Sequence, residues 1–201
     1  MLCQFHRLLG IPRVYGAFQR FLSGNGCARY AQTLIKSLPG DRVLDMGCGP
    51  ADILEFLPDV HYTGIDLCPE YIGHARLRFG SRGTFVCQSV AEAAVDSPGS
   101  YDIVMANGLL HHLDDADALR VFEMARHALK PTGRFVTLDG CWVDGQSPFA
   151  RLLLKWDRGE FIRTDDAYLA IASRVFPRIE ARIHHRLLRV PYTHLTLECR
   201  P

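Results

Sequence analysis

The first residues with a chemical signature lie in VLDMGCGPADI, residues 43–53. Asp45 ends an apolar run, and Gly47 and Gly49 form the bend that follows. A bend without side chains lets a ligand approach the backbone, because no Cβ stands in the way. Asp66 closes the next apolar run, HYTGID, 17 residues after Gly49. A carboxylate there can accept hydrogen bonds from both hydroxyls of a ribose, each worth roughly 1.5–3 kcal/mol. Dinucleotide-binding turns carry G-x-G-x-x-G. Counting from Gly47, the sixth position here is Asp52, and an acid at a helix start repels a pyrophosphate. The pattern predicts a nucleoside ligand with a cationic or neutral group in place of a diphosphate.

A second set of residues suits proton transfer and substrate binding. NGLLHHLDD contains His111 and His112. Histidine titrates near neutral pH and can take a proton from an acceptor; equally, the pair can brace the loop before a helix starting at Asp114. Asp139 and Asp144 orient a substrate or cap their loop. Tyr15, Tyr30, Trp142 and Trp156 line an acceptor pocket or pack in the core. KWDRGEFIR brings Lys155, Arg158 and Arg163 close in sequence, as in a lid gripping a carboxylate or phosphate; Arg158 has Asp157 and Asp165 as alternative partners.

These residues need elements to hold them. Helices are predicted over 3–9, 13–22 and 27–37, then a strand at 42–46 and a short helix ending near Pro58. Further strands follow at 61–66, 84–88, 101–106 and 134–139, with helices at 69–79 and 114–130. Pro69 suits a first helical turn, and Pro131 stops the second helix after Lys130. Four of these strands are apolar without polar alternation, which marks a parallel sheet covered by helices on both faces. In such sheets ligands bind at the carboxyl ends of the strands. Beyond residue 140, helical pieces at 148–157 and 165–175 precede two alternating segments at 179–187 and 193–199. Those two predict an antiparallel pair closing one sheet edge. One domain is expected, with an N-terminal cap (1–40), a ligand-binding core (41–140), a substrate-side insert or lid (141–177) and a C-terminal hairpin (178–201).

Composition narrows the classes. The chain has 201 residues, 48% hydrophobic and 22% charged, as in an ordinary globular protein. Its seven cysteines form no C-x-x-C pair, so neither a disulfide framework nor a metal site is expected, and a reducing cytoplasm fits. No apolar run reaches the roughly 18–20 residues of a membrane span. The formal net charge is +1, unevenly spread. Residues 1–40 hold five Arg/Lys and no acid, 41–145 hold eight basic and sixteen acidic residues, and 146–201 hold ten basic and six acidic residues. The basic ends suit an anionic small molecule or an acidic carrier protein, or are plain solvated faces. The acid-free start shares its composition with a mitochondrial transit segment, but Tyr15, Phe18, Phe21 and Leu22 recur as in a docked helix. A pI near 7.7 argues against a general nucleic-acid binder.

Taken together, VLDMGCGP, YTGID, YDIVMANGLLHHL and LKPTGRFV resemble the successive motifs of class I S-adenosylmethionine-dependent methyltransferases, over about residues 40–140. The resemblance implies a three-layer, Rossmann-like α/β fold with a seven-stranded, mostly parallel sheet in the order 3-2-1-4-5-7-6, strand 7 antiparallel. It also implies S-adenosyl-L-methionine as cofactor, S-adenosyl-L-homocysteine as product, and methyl transfer by displacement to an oxygen, nitrogen or carbon of a small-molecule acceptor. By position, Asp45, Gly47, Cys48 and Gly49 surround the amino-acid part of the cofactor, Asp66 holds the ribose and Leu67 lies against the adenine. Ser89 and Val90 meet the adenine edge, and Asn107 lies near the methionine end. Ala51 stands where the family often has glycine, and Gln88 and Ser89 where it often has an acid.

Two other readings compete. An NAD(P)-dependent oxidoreductase shares the alternating fold, but a short-chain reductase carries Y-x-x-x-K, and no tyrosine here is followed by lysine at that spacing. The other is a non-catalytic S-adenosylmethionine-binding scaffold. A nucleic-acid adenine methyltransferase would carry N-P-P-Y or D-P-P-Y where this chain has NGLL.

Overall fold

The computed structural model describes residues 26–90, 98–157, 159–185, 187 and 190–201. The expected helices at 3–9 and 13–22, with Tyr15, lie outside the described residues, as does Arg158. Eight strands form one sheet: β1 (Arg42–Met46), β2 (His61–Asp66), β3 (Gly83–Cys87), β4 (Tyr101–Asn107), β5 (Leu129–Trp142), β6 (Arg163–Thr164), β7 (Arg178–His184) and β8 (His194–Arg200). Their order is β3-β2-β1-β4-β5-β8-β7, with the two-residue β6 paired beside the end of β5. Without β6 this is the expected seven-strand order. β1 to β5 pair in parallel, and β8 runs antiparallel to both β5 and β7.

Helices cover both faces. On one side lie α1 (Gly26–Tyr30), running on as a π-helical turn over Ala31–Ile35, and α2 (Pro69–Phe79). Their Ile35, Ile72, Ala75 and Phe79 pack with Val43, Phe85, Ile103 and Val136 of the sheet. On the other side, α3 (Asp115–Ala128) and α5 (Asp165–Ala172) pack Val121, Phe122, Tyr168 and Ile171 against Leu44, Val104, Phe135 and Leu197. Alternate residues of β1 and β5 thus enter opposite cores, and both faces are apolar because both are covered. The helix α4 (Pro148–Lys155) follows β5, with the Ser147 hydroxyl accepting from the Ala150 N–H at its start.

Several boundaries differ from the sequence reading, and two of them bear on the site. The helix expected over 114–130 spans Asp115–Ala128, and Asp114 caps it by accepting from the Asp117 N–H at 2.9 Å. Leu129 already pairs with Tyr101, and regular pairing resumes at Ile103 with Arg134. Pro131, which lacks an N–H, sits in the resulting bulge, where no ladder bond is needed. The piece after the glycine bend is a five-residue 3₁₀ helix, Asp52–Phe56, too short to present a row of free N–H groups.

Candidate active site

The expected cofactor residues gather at the carboxyl ends of β1, β2 and β4. Gly47 has φ +73°, and a Cβ on it would meet Leu109 Cδ1 at 2.9 Å. Gly49 has φ +53° with no atom within 4 Å of where its Cβ would be, so its outer side is open. Ala51 has φ +59°, which explains why glycine suits that position. The N–H groups of the bend are already engaged. Gly47 and Cys48 donate to the Ile65 carbonyl at 2.8 and 3.0 Å, and Gly49 donates to Asp66 Oδ2 at 2.8 Å. The bend is therefore no anion cradle, whatever its glycine content.

Asp66 is half-buried at the tip of β2. Its second oxygen accepts from the Cys68 N–H at 2.8 Å. Each carboxylate oxygen has two lone-pair sites, so one direction per oxygen remains after the backbone has pinned the group. Leu67 beside it is 54% exposed, a large apolar side chain open to a ligand. Ser89 is half-buried and Val90 buried. Both lie next to residues 91–97, outside the described residues.

Asp45 is 2% exposed. Its Oδ2 accepts from the Tyr62 hydroxyl at 2.6 Å, and its Oδ1 has no partner among the described residues. Burial, opposed by the Tyr62 hydrogen bond and aided by the Asp66 charge, pushes its pKa up to about 7. Burial likewise raises the Cys48 thiol, so Cys48 is an inert wall of the bend. At the tip of β4, Asn107 Oδ1 accepts a hydrogen bond from the buried Tyr30 hydroxyl, which ties α1 to the sheet edge. Burial and the Asp45 and Asp139 charges hold the Tyr30 hydroxyl well above its usual pKa.

The second half of the site surrounds His111, which is 7% exposed. Its Nδ1 lies 2.8 Å from Asp139 Oδ1, which also accepts the His111 backbone N–H at 3.2 Å. Its Nε2 lies 3.5 Å from Asp157 Oδ1, and Asp157 Oδ2 accepts from the Tyr192 hydroxyl at 2.7 Å. Burial opposes charge on His111, but the Asp139 hydrogen bond and the Asp139 and Asp157 charges outweigh it and raise its pKa. The ring of half-buried His112 is centred 4.1 Å from that of His111, and burial and this neighbour lower its pKa. Asp139 Oδ2 is buried without a partner among the described residues.

Of the expected anion-gripping residues, Arg163 turns inward, Lys155 is exposed and Arg158 lies outside the described residues. Arg163 is 8% exposed and donates to the carbonyls of Leu110, Phe161 and Leu113 and to Asp115 through Nε and Nη2. All five of its N–H groups are thereby used on the protein itself. Lys155 and Asp144 are exposed, Trp156 is 74% exposed, and the Arg151 guanidinium lies 5.7 Å from the ring centre of half-buried Trp142. The sequence reading missed Tyr62, Asp157 and Tyr192. Tyr62 carried a usable signal, since it lies two residues before Gly64, the register partner of Asp45. Asp157 and Tyr192 had none, being 46 and 81 residues from His111. Among the described residues, no group of three or more His, Cys, Asp and Glu is arranged to hold a metal ion.

Residues 43–133 match the family model described as a methyltransferase domain. Residues 43–133 thus form a methyltransferase domain, as the resemblance to the class I S-adenosylmethionine-dependent methyltransferases implies. The match runs from β1 to the start of β5 and takes in the glycine bend, Asp66, Asn107 and both histidines of this methyltransferase domain. The ubiquinone biosynthesis O-methyltransferase of Xylella fastidiosa (strain M23) is 36% identical over 103 residues, 49% of this chain and 41% of that protein. An uncharacterized methyltransferase of Synechocystis sp. is 30% identical over 135 residues, 64% of this chain and 63% of that protein. The aligned region thus spans less than half of the ubiquinone-pathway relative. Among solved structures, the pyocyanin biosynthetic protein PhzM superposes with a TM-score of 0.74 at 20% identity, covering 98% of this chain and 61% of that one. The PH0226 protein from Pyrococcus horikoshii superposes at 0.69 and 19% identity, covering 96% and 100%. These likenesses show the methyltransferase fold.

The cradle fits the family's cofactor, S-adenosylmethionine. A buried carboxylate oxygen without a donor, Asp45 Oδ1, suits a cationic group. The pinned carboxylate of Asp66 suits a diol, and the bend is open where Gly49 lacks a side chain. No helix among the described residues is long and apolar enough to cross a membrane.

Proposed function

We propose that this methyltransferase domain transfers a methyl group from S-adenosylmethionine to a hydroxyl of a small-molecule acceptor. The observation that carries the reading is the pair of donor-poor carboxylates at one sheet edge, Asp45 Oδ1 and Asp139 Oδ2, on either side of the Tyr30–Asn107 contact. In this reading Asp45 takes the cofactor's ammonium, Asp66 its ribose hydroxyls, Leu67 lies against its adenine, and Ser89 and Val90 meet the adenine edge. Gly47, Cys48 and Gly49 form the wall, and Asn107 and Tyr30 bound the methionine end. The bound cofactor supplies an electrophilic methyl on a cationic sulfur. The chain then has to align the acceptor with that methyl, and alignment alone can lower a barrier by about 7–11 kcal/mol.

A hydroxyl acceptor must lose a proton, and the histidine pair beside Asp139 supplies a base. The naming of the Xylella relative as an O-methyltransferase supports oxygen as the target. Asp139 Oδ2 would orient a donor on the acceptor. The acids Asp45, Asp66, Asp139 and Asp157 outnumber the cations of this edge, and Arg163 is spent internally. A neutral, hydroxyl-bearing acceptor therefore suits the site better than a phosphate or carboxylate. Trp142 would form part of the acceptor wall. An NAD-dependent reading is disfavoured by the same features, because a bend whose N–H groups are all bonded cannot cradle a pyrophosphate.

Thermal shift and calorimetry test this reading. S-adenosylhomocysteine stabilises the protein and NADH does not; the reverse result would remove the proposed function. A non-catalytic scaffold would bind S-adenosylhomocysteine yet release none from S-adenosylmethionine with any of a panel of phenols, catechols and alcohols.

A further inference from the structure

His111 and His112 stand side by side, yet their surroundings divide them. His111 has a carboxylate at each ring nitrogen: Asp139 from β5 and Asp157 from the segment after α4. The far oxygen of Asp157 is held by the hydroxyl of Tyr192, which approaches from just before β8. The ring is also walled in. A Cβ on Gly159 would collide with it, and the His111 carbonyl accepts from the Phe161 N–H at 2.9 Å. His112 has no carboxylate within ion-pair distance among the described residues and is half-buried.

We infer that Asp157 and Tyr192 are positioning residues that, with Asp139, fix His111 as a cation between two carboxylates, so that His112 is the member of the pair free to accept a proton. An imidazole flanked by acceptors at both nitrogens is satisfied only when both nitrogens carry hydrogen. Tyr192 and Gly159 in turn direct Asp157, because the Tyr192 hydroxyl donates to Oδ2 and the Gly159 N–H donates at 2.9 Å to Oδ1, the oxygen that faces the ring. The other groups facing the pair do not undo this arrangement. Arg163 opposes charge on His111, but its guanidinium is already engaged by Asp115 and three carbonyls. His194, paired across β8 with Gly140 of β5, is held neutral by its burial. Around His112, the charge on His111 works against protonation, while Asp157, Asp139 and Glu160 work for it. The shifts of the two histidines run in opposite directions, as this division requires.

This inference rests on the proposed methyl transfer for its purpose but is tested without it. The ring-carbon resonances of the histidines are followed by NMR from pH 5 to 9 in the full chain without ligand, with H112Q used for assignment. In the wild type, His111 titrates above its ordinary value of about 6.5 and His112 below it. D157N moves the His111 midpoint down by about one pH unit, and Y192F moves it in the same direction by less. A merely structural role for Asp157 would leave the midpoint of a folded D157N variant in place. A wild-type His111 midpoint below that of His112 would overturn the inference. Where D157N does not fold, diethyl pyrocarbonate, which attacks only neutral imidazoles, decides on the wild type at pH 7. Modification mapped to His112 and not His111 supports the inference, and preferential modification of His111 overturns it. Failure of the protein to bind S-adenosylhomocysteine would sink the proposed function and leave these titrations as they are.

Discussion

The two halves of the site are built differently. The proposed cofactor half, at the tips of β1 and β2, is made by backbone. Gly47, Cys48 and Gly49 fix the bend through Ile65 and Asp66, and every partner lies within about twenty residues of another. The acceptor half is made by side chains. Asp139 and Asp157 reach His111 from β5 and from the segment after α4, Tyr192 holds Asp157 from the approach to β8, and Arg163 reaches back some fifty residues to bracket the same loop. Backbone constraints leave a local sequence signature, because only glycine tolerates the required φ beside a close neighbour. Long-range side-chain contacts leave none. The half that is short in sequence lies wholly within the matched residues 43–133, whereas of the other half the two histidines do, and Asp139, Asp157 and Tyr192 lie beyond it.

That contrast can be broken by substitution. The largest effect is expected from Gly47→Val, which puts a β-branched side chain at φ +73° and against Leu109. Such strain costs on the order of 1–3 kcal/mol before the clash is counted, and S-adenosylhomocysteine binding should fall by about a hundredfold or more by calorimetry. Asp66→Ala comes next. It removes the carboxylate that accepts from the proposed ribose diol and frees the Gly49 N–H, so a net loss equivalent to one charged hydrogen bond, roughly 30- to 100-fold, is expected.

Arg163→Lys probes the other half. A lysine cannot reproduce a planar five-donor fork, so the melting temperature should drop by about 2–8 °C, as for a loss of about 1–2 kcal/mol, while cofactor affinity changes little. An equal loss of affinity would show that the two halves are not separable.

Smaller effects depend on pH. With the Asp45 pKa near 7, binding of a cationic ammonium should strengthen as pH rises and this carboxyl ionises. Affinity should gain about tenfold between pH 6 and 8, and Asp45→Asn should flatten that dependence. His111 acts on stability. Its raised pKa means that its contribution is complete below about pH 6.5 and is lost as pH climbs through the folded value. The melting temperature should therefore decline on the alkaline side, less steeply in Asp139→Asn.

The apolar runs and the alternating closing pair carried the strands and the parallel sheet covered on both faces, while the strand order came from the resemblance to the methyltransferase family. The sequence carried the cofactor half because a bend and a strand-tip acid share a fixed spacing. It placed Arg163 in an anion-gripping lid because nearness in sequence to Lys155 and Arg158 looked like nearness in space. In the fold, β6 pairs that arginine beside β5, and its guanidinium turns inward to three carbonyls. The helix end at Ala128 was missed for a related reason, since Pro131 marks a bulge in β5 rather than the helix stop.

The central claim is that a stripped bend and the carboxylate of Asp66 together hold an adenosyl group. It is tested most directly by titrating S-adenosylhomocysteine into wild-type protein and Asp66→Ala by calorimetry. Saturable binding to the wild type that is weakened at least thirtyfold in the variant is the predicted result. Equal affinity in the two, with the variant folded, would contradict it.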